Sequence, residues 1–157
     1  CGVTQEPRAL ADAGFQVTAV DISPRAIEIA RELEFPAGSF EGFCDSDLRR
    51  EGGRVEWVVG DFFDPTVCPG PFDVIIERRT AQLFAREELD RVMNVLVARM
   101  LPDGIFLSHC HDGWWKPPAE PNHVVRSWFE ENGWTMWRNR SGAKPSGRVA
   151  WLEITTG

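Results

Sequence analysis

A chain of 157 residues, 43% hydrophobic and 26% charged, has the composition of one soluble globular domain with a single substantial core. Its net charge of −7 leaves no basic stripe for phosphate contacts and argues against a nucleic-acid partner, and no apolar run approaches the roughly 20 residues that span a bilayer, so no membrane partner is expected. The four cysteines, at 1, 44, 68 and 110, form no C-x-x-C pair and suggest neither a zinc knuckle nor a disulfide framework, which makes a reducing, cytoplasmic setting the expectation.

The first element follows a glycine turn. In "CGVTQEPRALADAGFQVTAVDIS", Pro7 suits a first helical turn and Gly14 the position just past a helix end. The run from Phe15 to Ser23 is then a strand, its β-branched residues Val17, Thr18 and Val20 favouring a buried one, and it finishes at Asp21. Gly2 precedes Asp21 by 19 positions, close to the separation between glycine turn and acid in a βαβ unit that holds a ribose or phosphate. The same residues also suit a tight turn and a helix-capping acid. Ser23 caps the next helix, Pro24 enters its first turn, and Ala26, Ile27, Ala30 and Leu33 repeat on one face. Residues 36 to 53 break the pattern with Gly, Ser and charged residues and read as an excursion.

"RVEWVVGDFFD" is the second strand, ending at a second acid, Asp61, and "GPFDVIIERR" is the third. "AREELDRVMNVLVARML" is the clearest helix, with Leu89, Val92, Met93, Leu96 and Met100 as its buried stripe and Glu87 and Glu88 at its N-terminal end. "PDG" is expected to stop it, before a fourth strand, "IFLSHCH". A further helix, "NHVVRSWFEENG", takes Asn122 as cap and Gly133 as terminator. "WTMWRNR" and "RVAWLEIT" flank "SGAKPSG", a hairpin-length turn segment that predicts an antiparallel edge. Strands alternating with helices predict an open, mostly parallel α/β sheet covered on both faces.

The order of these features resembles the class I S-adenosylmethionine-dependent methyltransferases: a glycine turn, an acid after the next strand, "GD" plus an aromatic after the one following, "FDVII", "LPDG", and a closing hairpin. The resemblance runs from Cys1 to about Thr155. It implies a doubly wound, Rossmann-like sheet of seven strands with an antiparallel C-terminal hairpin, forming a single domain over 1–157. It also implies that this chain begins inside the family's "GCG" turn, as a fragment that lacks the first strand. Thr4 stands where relatives often carry another glycine. A narrower likeness points to small-molecule methyltransferases of the thiol and thiopurine type. It rests on "CGV", on "FDVIIERRTAQL" and on the prolines of "WWKPPAEPNHVV"; Glu77 and Arg79 replace the Asp and Gly of that group.

The cofactor implied is S-adenosyl-L-methionine, and its parts make separate demands. Its amino-acid tail and sulfur need a close backbone approach, for which Gly2 is the candidate, with Cys1 and Thr4 completing the turn. Its ribose diol needs a two-oxygen acceptor, Asp21. Its adenine needs an apolar slot, from Ile22 and Phe62, and an acceptor for the amino group, Asp61. Glu77, at the end of the third strand, is a candidate for both cofactor binding and proton transfer. His111 and Asp112 are candidates for a general base. Arg78, with Arg79 beside it, suits an anionic acceptor, and Trp114, with Trp115, an apolar acceptor wall. His109 and His111 lie two apart on a strand, but an H-x-H pair with no confirmed further ligand reads as a strand end, so no metal is expected.

The expected reaction is methyl transfer to a small molecule, with a thiol or another heteroatom as acceptor. Two alternatives stay open. A degenerate, non-catalytic methyltransferase fold is compatible with Thr4 and Arg79. An NAD-binding oxidoreductase shares the glycine turn and strand-end acid, although no G-x-G-x-x-G is present. The sequence leaves the oligomeric state open.

Overall fold

The computed structural model of the protein describes residues 1–33, 52–111, 128, 131–136 and 149–155. The chain divides into two compact units, Cys1–Pro69 and Gly70–Gly157.

The first unit holds helix α1 (Glu6–Asp12), strand β1 (Gln16–Asp21), helix α2 (Pro24–Glu32) and strand β2 (Arg54–Val59). Pro7 lies in the first turn of α1, and the helix closes where the amides of Gly14 and Phe15 donate to the carbonyls of Ala11 and Leu10. Gly14 takes φ +91°, a conformation that glycine adopts at a helix end without steric cost. Ser23 caps α2 as expected, its Oγ accepting from the Ala26 amide at 3.2 Å.

β1 and β2 pair in parallel through six residues, from Gln16 opposite Arg54 to Asp21 opposite Val59. Small residues let α1 lie close to this pair, with Ala9 on α1 and Ala19 on β1 both buried, and Ile27 and Ala30 are the buried residues of α2. Where β2 begins, a Cβ on Gly53 would stand 1.8 Å from the Ala11 carbonyl oxygen, so only glycine passes there. Arg8 ties the helices together, donating to the Arg31 carbonyl at 2.6 Å, and its guanidinium lies 5.7 Å from the centre of the Trp57 ring.

The second unit contains strand β3 (Phe72–Arg78), a 3₁₀ turn (Ala81–Leu83), helix α3 (Arg86–Val97) and strands β4 (Met100–His111), β5 (Thr135–Met136) and β6 (Val149–Thr155). The sheet order is β3-β4-β6-β5. Glu88 reaches back to accept from the Ala85 amide at 3.3 Å at the start of α3; Ala85 itself has no side-chain acceptor to reciprocate. Leu89, Val92 and Met93 are fully buried, and Ala81, Met100, Phe106, Trp128 and Trp134 complete the core with Leu89 and Met93. The Trp128 indole N–H donates to Asp90 on α3 at 2.5 Å. Trp128 and Glu131 are helical and Gly133 has φ +75°, as the sequence predicts for a helix ending there; Asn122 lies outside the described residues.

Two expectations need correction. α3 ends at Val97, and Met100 belongs to β4 rather than to the helix; the P-D-G triplet that was to stop the helix lies inside the strand. The register explains how: Phe72 pairs with Met100 but Val74 pairs with Ile105, so β4 takes up Pro102, Asp103 and Gly104 as a bulge. A Cβ on Gly104 would lie 3.1 Å from the Leu101 carbonyl oxygen and 3.2 Å from that of Asp73, so the backbone packs tightly around the bulge. The second correction concerns the closing strands. β6 runs parallel to β4 and parallel to β5, so they form no antiparallel hairpin. The twelve residues 137 to 148 exceed the roughly two to five of a hairpin loop and reach the dozen or so that a parallel return requires. Among the described residues six strands form, every observed pair is parallel, and no helix is long and apolar enough to cross a membrane.

Candidate cofactor site

The C-terminal ends of β1 and β2 lie side by side because the two strands are parallel and in register. Asp21 faces Val59 across the pair, and the Gly60 amide donates to the Asp21 carbonyl at 3.0 Å, so Asp61 follows directly at the same edge. In open α/β sheets this edge is where ligands bind.

The Asp21 carboxylate organises the glycine turn. Its Oδ2 accepts from the Gly2 amide at 2.6 Å and from the Cys1 nitrogen at 3.2 Å, and its Oδ1 accepts from the Ser23 amide at 2.9 Å. The side chain is 19% exposed. Burial pulls its pKa up, the Ser23 and Gly2 amides pull it down, and the carboxyl lies below its ordinary value. A carboxylate offers about four acceptor positions. The three described donors therefore leave one on Oδ1, at an edge that solvent still reaches.

Gly2 takes φ +62°, and among the described residues a Cβ built on it would approach only Thr4 Cγ2, at 3.9 Å. Glycine takes this conformation without strain, and among the described residues its outer face stays open. Thr4 closes the turn by donating from Oγ1 to the Cys1 carbonyl at 3.2 Å, in place of a further glycine. Beside Asp21, Ile22 is 71% exposed, and Val59, its neighbour on β2, is 47% exposed. Large aliphatic groups left bare next to an ionised acid form a surface that suits a ligand with both an apolar face and hydroxyls.

Asp61 is exposed. Its Oδ1 accepts from the Phe63 amide at 2.9 Å, fixing the turn after β2, and among the described residues nothing donates to its Oδ2. Phe62 stacks on Phe63 with ring centres 4.5 Å apart. The turn folds back tightly enough that a Cβ on Gly60 would lie 2.7 Å from a Val67 methyl group.

In the second unit, the end of β3 places Glu77 differently from the exposed acids. It is 5% exposed. Its Oε2 accepts from the amides of Thr80 and Ala81, each at 3.0 Å, and its Oε1 accepts from the Ser108 hydroxyl. Arg78 and Arg79 are exposed, and Arg79 has φ +61°. His111 ends β4; its side chain, and Asp112, Trp114 and Trp115 as a whole, lie outside the described residues. Ser108 was not singled out from the sequence, although a signal existed. It is a polar residue two positions from Phe106, and in a strand that spacing puts both on one face; both are buried.

Residues 1–108 match the family described as "Methyltransferase domain". The chain belongs to the class I S-adenosylmethionine-dependent methyltransferases. The methyltransferase match covers the glycine turn, both strand-end acids and the chain as far as Ser108 on β4, and it gives the dehydrogenase alternative no support. The chain is 32% identical over 99 residues to magnesium-protoporphyrin O-methyltransferase of Rhodobacter capsulatus, a match covering 63% of this chain and 38% of that protein. A solved structure from work on the conversion of a disulfide bond into a thioacetal group during echinomycin biosynthesis is 26% identical. It has a TM-score of 0.49 and covers 66% of this chain and 37% of that one. The chain thus spans under two-fifths of the length of these relatives.

Proposed function

We propose that this chain carries the cofactor-binding part of a methyltransferase that uses S-adenosylmethionine and methylates a heteroatom of a small molecule. The observation that carries the reading is the coupling of a positive-φ glycine to a strand-end acid: the Gly2 amide on Asp21 Oδ2, with the face above the glycine open.

The residues present fit such a cofactor. The open face of Gly2 admits the amino-acid tail, and the remaining acceptor position on Asp21 Oδ1 suits a ribose hydroxyl. The exposed Ile22, with Phe62, offers a surface for the adenine, and Asp61 Oδ2 offers an acceptor for its amino group. When bound, S-adenosylmethionine supplies a methyl group activated by its sulfonium. The chain's own contribution is then orientation, because in-line transfer needs placement more than covalent chemistry from the protein. A neutral hydroxyl acceptor also needs a base, for which His111 and Asp112 remain the proposed residues. A thiolate needs none. The Rhodobacter relative is named for oxygen methylation, which puts an oxygen acceptor beside the thiol among the heteroatoms to screen. Arg78 and Trp114 are proposed to line the acceptor side.

Calorimetric titration of the complete protein with S-adenosylhomocysteine tests the reading, with NAD as the control. Micromolar binding of the first, none of the second, and at least a tenfold loss in Asp21→Ala are expected. A folded protein that binds neither refutes the cofactor assignment and leaves the non-catalytic alternative.

A further inference from the structure

The turn leaving β3 is held by an acid that faces away from solvent. Glu77 and Ser108 are direct partners in the β3–β4 register, and the Ser108 hydroxyl donates to Glu77 Oε1. Ser108 is 1% exposed. On the other side of the carboxylate, Oε2 accepts two successive amides, those of Thr80 and Ala81. The amide before them, of Arg79, donates to the His109 carbonyl on β4 at 2.9 Å. Three consecutive backbone donors are therefore fixed, two by Glu77 and one by the strand beside it.

Arg79 needs this restraint. It is a long-chain residue at φ +61°, a conformation unfavourable for any side chain with a Cβ. Such strain persists only where the surroundings over-determine it, and it gathers at functional sites. The turn displays Arg78 and Arg79 at the C-terminal edge of a parallel sheet, the edge at which such folds meet their ligands. A carboxylate that is buried and bonded through both oxygens is badly placed to take a proton from an acceptor. It is well placed to hold a strained turn.

We propose that Glu77 is a positioning residue: with Ser108 it clamps the strained turn at Arg79, and it contacts neither cofactor nor acceptor. The inference rests on the methyltransferase reading only for what the turn presents its arginines to.

Gln at position 77 preserves the geometry, since its oxygen can accept the Thr80 and Ala81 amides while its NH2 donates to Ser108 Oγ. Alanine preserves none of it. Amide hydrogen exchange and S-adenosylhomocysteine titration of the complete protein are therefore compared across four forms: wild type, Glu77→Gln, Glu77→Ala, and Glu77→Ala combined with Arg79→Gly. Exchange at Thr80 and Ala81 should stay within about threefold of wild type in Glu77→Gln and rise at least tenfold in Glu77→Ala. It should fall back part of the way in the double variant, because glycine accepts φ +61° unaided. S-adenosylhomocysteine affinity should stay within about twofold in all four.

Two results overturn the proposal. One is unchanged exchange at Thr80 and Ala81 in Glu77→Ala; the other is a tenfold loss of S-adenosylhomocysteine affinity in Glu77→Gln with exchange unaltered. If the wild type itself fails to bind S-adenosylhomocysteine, the cofactor reading falls, while the exchange comparison still decides the clamp. Should Glu77→Ala not fold, Glu77→Met, which fills the site but accepts neither amide, takes its place, with exchange at Thr80 and Ala81 again expected to rise at least tenfold.

Discussion

Replacing Asp21 by Asn removes a charge while keeping the shape, and its cost can be worked out from the contacts. The carboxylate accepts amides on both oxygens, Gly2 at 2.6 Å and Ser23 at 2.9 Å. An amide side chain can accept on one side only, and its NH2 then faces the other N–H. One charge-assisted bond becomes neutral and one is lost, at about 1.5–3 kcal/mol for each charged bond made. With the side chain 19% exposed, solvent screens part of this, leaving a net loss of about 2 kcal/mol near neutral pH. In urea that lowers the unfolding midpoint by about 1 M.

The pH dependence follows from the lowered pKa. Because the folded state holds Asp21 below its ordinary value, the unfolded chain takes up the proton first as pH falls. The stabilisation is fully present above the ordinary carboxylate range, about pH 4, and is lost as pH drops through the folded value. Wild type and Asp21→Asn should therefore differ most at neutral pH and converge below about pH 4. Urea unfolding followed by circular dichroism across that range makes the comparison. A difference that stays constant with pH would falsify the charge-based account of the glycine turn.

Three further outcomes follow from the same structure. Ile22→Ala should change stability by no more than about 0.5 kcal/mol, since the side chain is 71% exposed, yet weaken S-adenosylhomocysteine binding about threefold to tenfold in calorimetry. Gly60→Ala puts a methyl group against Val67 and should cost about 1–3 kcal/mol in urea unfolding; Val67→Ala in the same chain should recover most of it. Arg79→Gly relieves the left-handed strain and should raise stability by up to about 1 kcal/mol, after allowing for glycine's greater freedom when unfolded, seen as a higher melting temperature.

Local signals in the sequence determined the α/β class, the position of most elements and the strand ends that carry Asp21 and Asp61. A Ser-Pro start, a glycine at a helix end, a β-branched run and an acid at its tip each act within a few residues, and the structure keeps them: Ser23 caps α2, Gly14 closes α1, and Asp21 and Asp61 end up at one edge. Tertiary structure alone decided what depends on partners distant in sequence. The direction of β6 is set by its pairing with β4 and β5, which the turn-like residues between the last two strands do not encode. P-D-G, a helix stop by composition, becomes a bulge because β3 fixes the register of β4 on either side of it. Glu77 and Asp21 look alike in sequence, each an acid at a strand's end. Their environments differ because Ser108, 31 residues further on, reaches Glu77 within the sheet, whereas the Gly2 and Ser23 amides engage Asp21 at an edge still open to solvent. Burial and hydrogen bonding set what a carboxylate can do, and both come from neighbours that only the folded chain brings together.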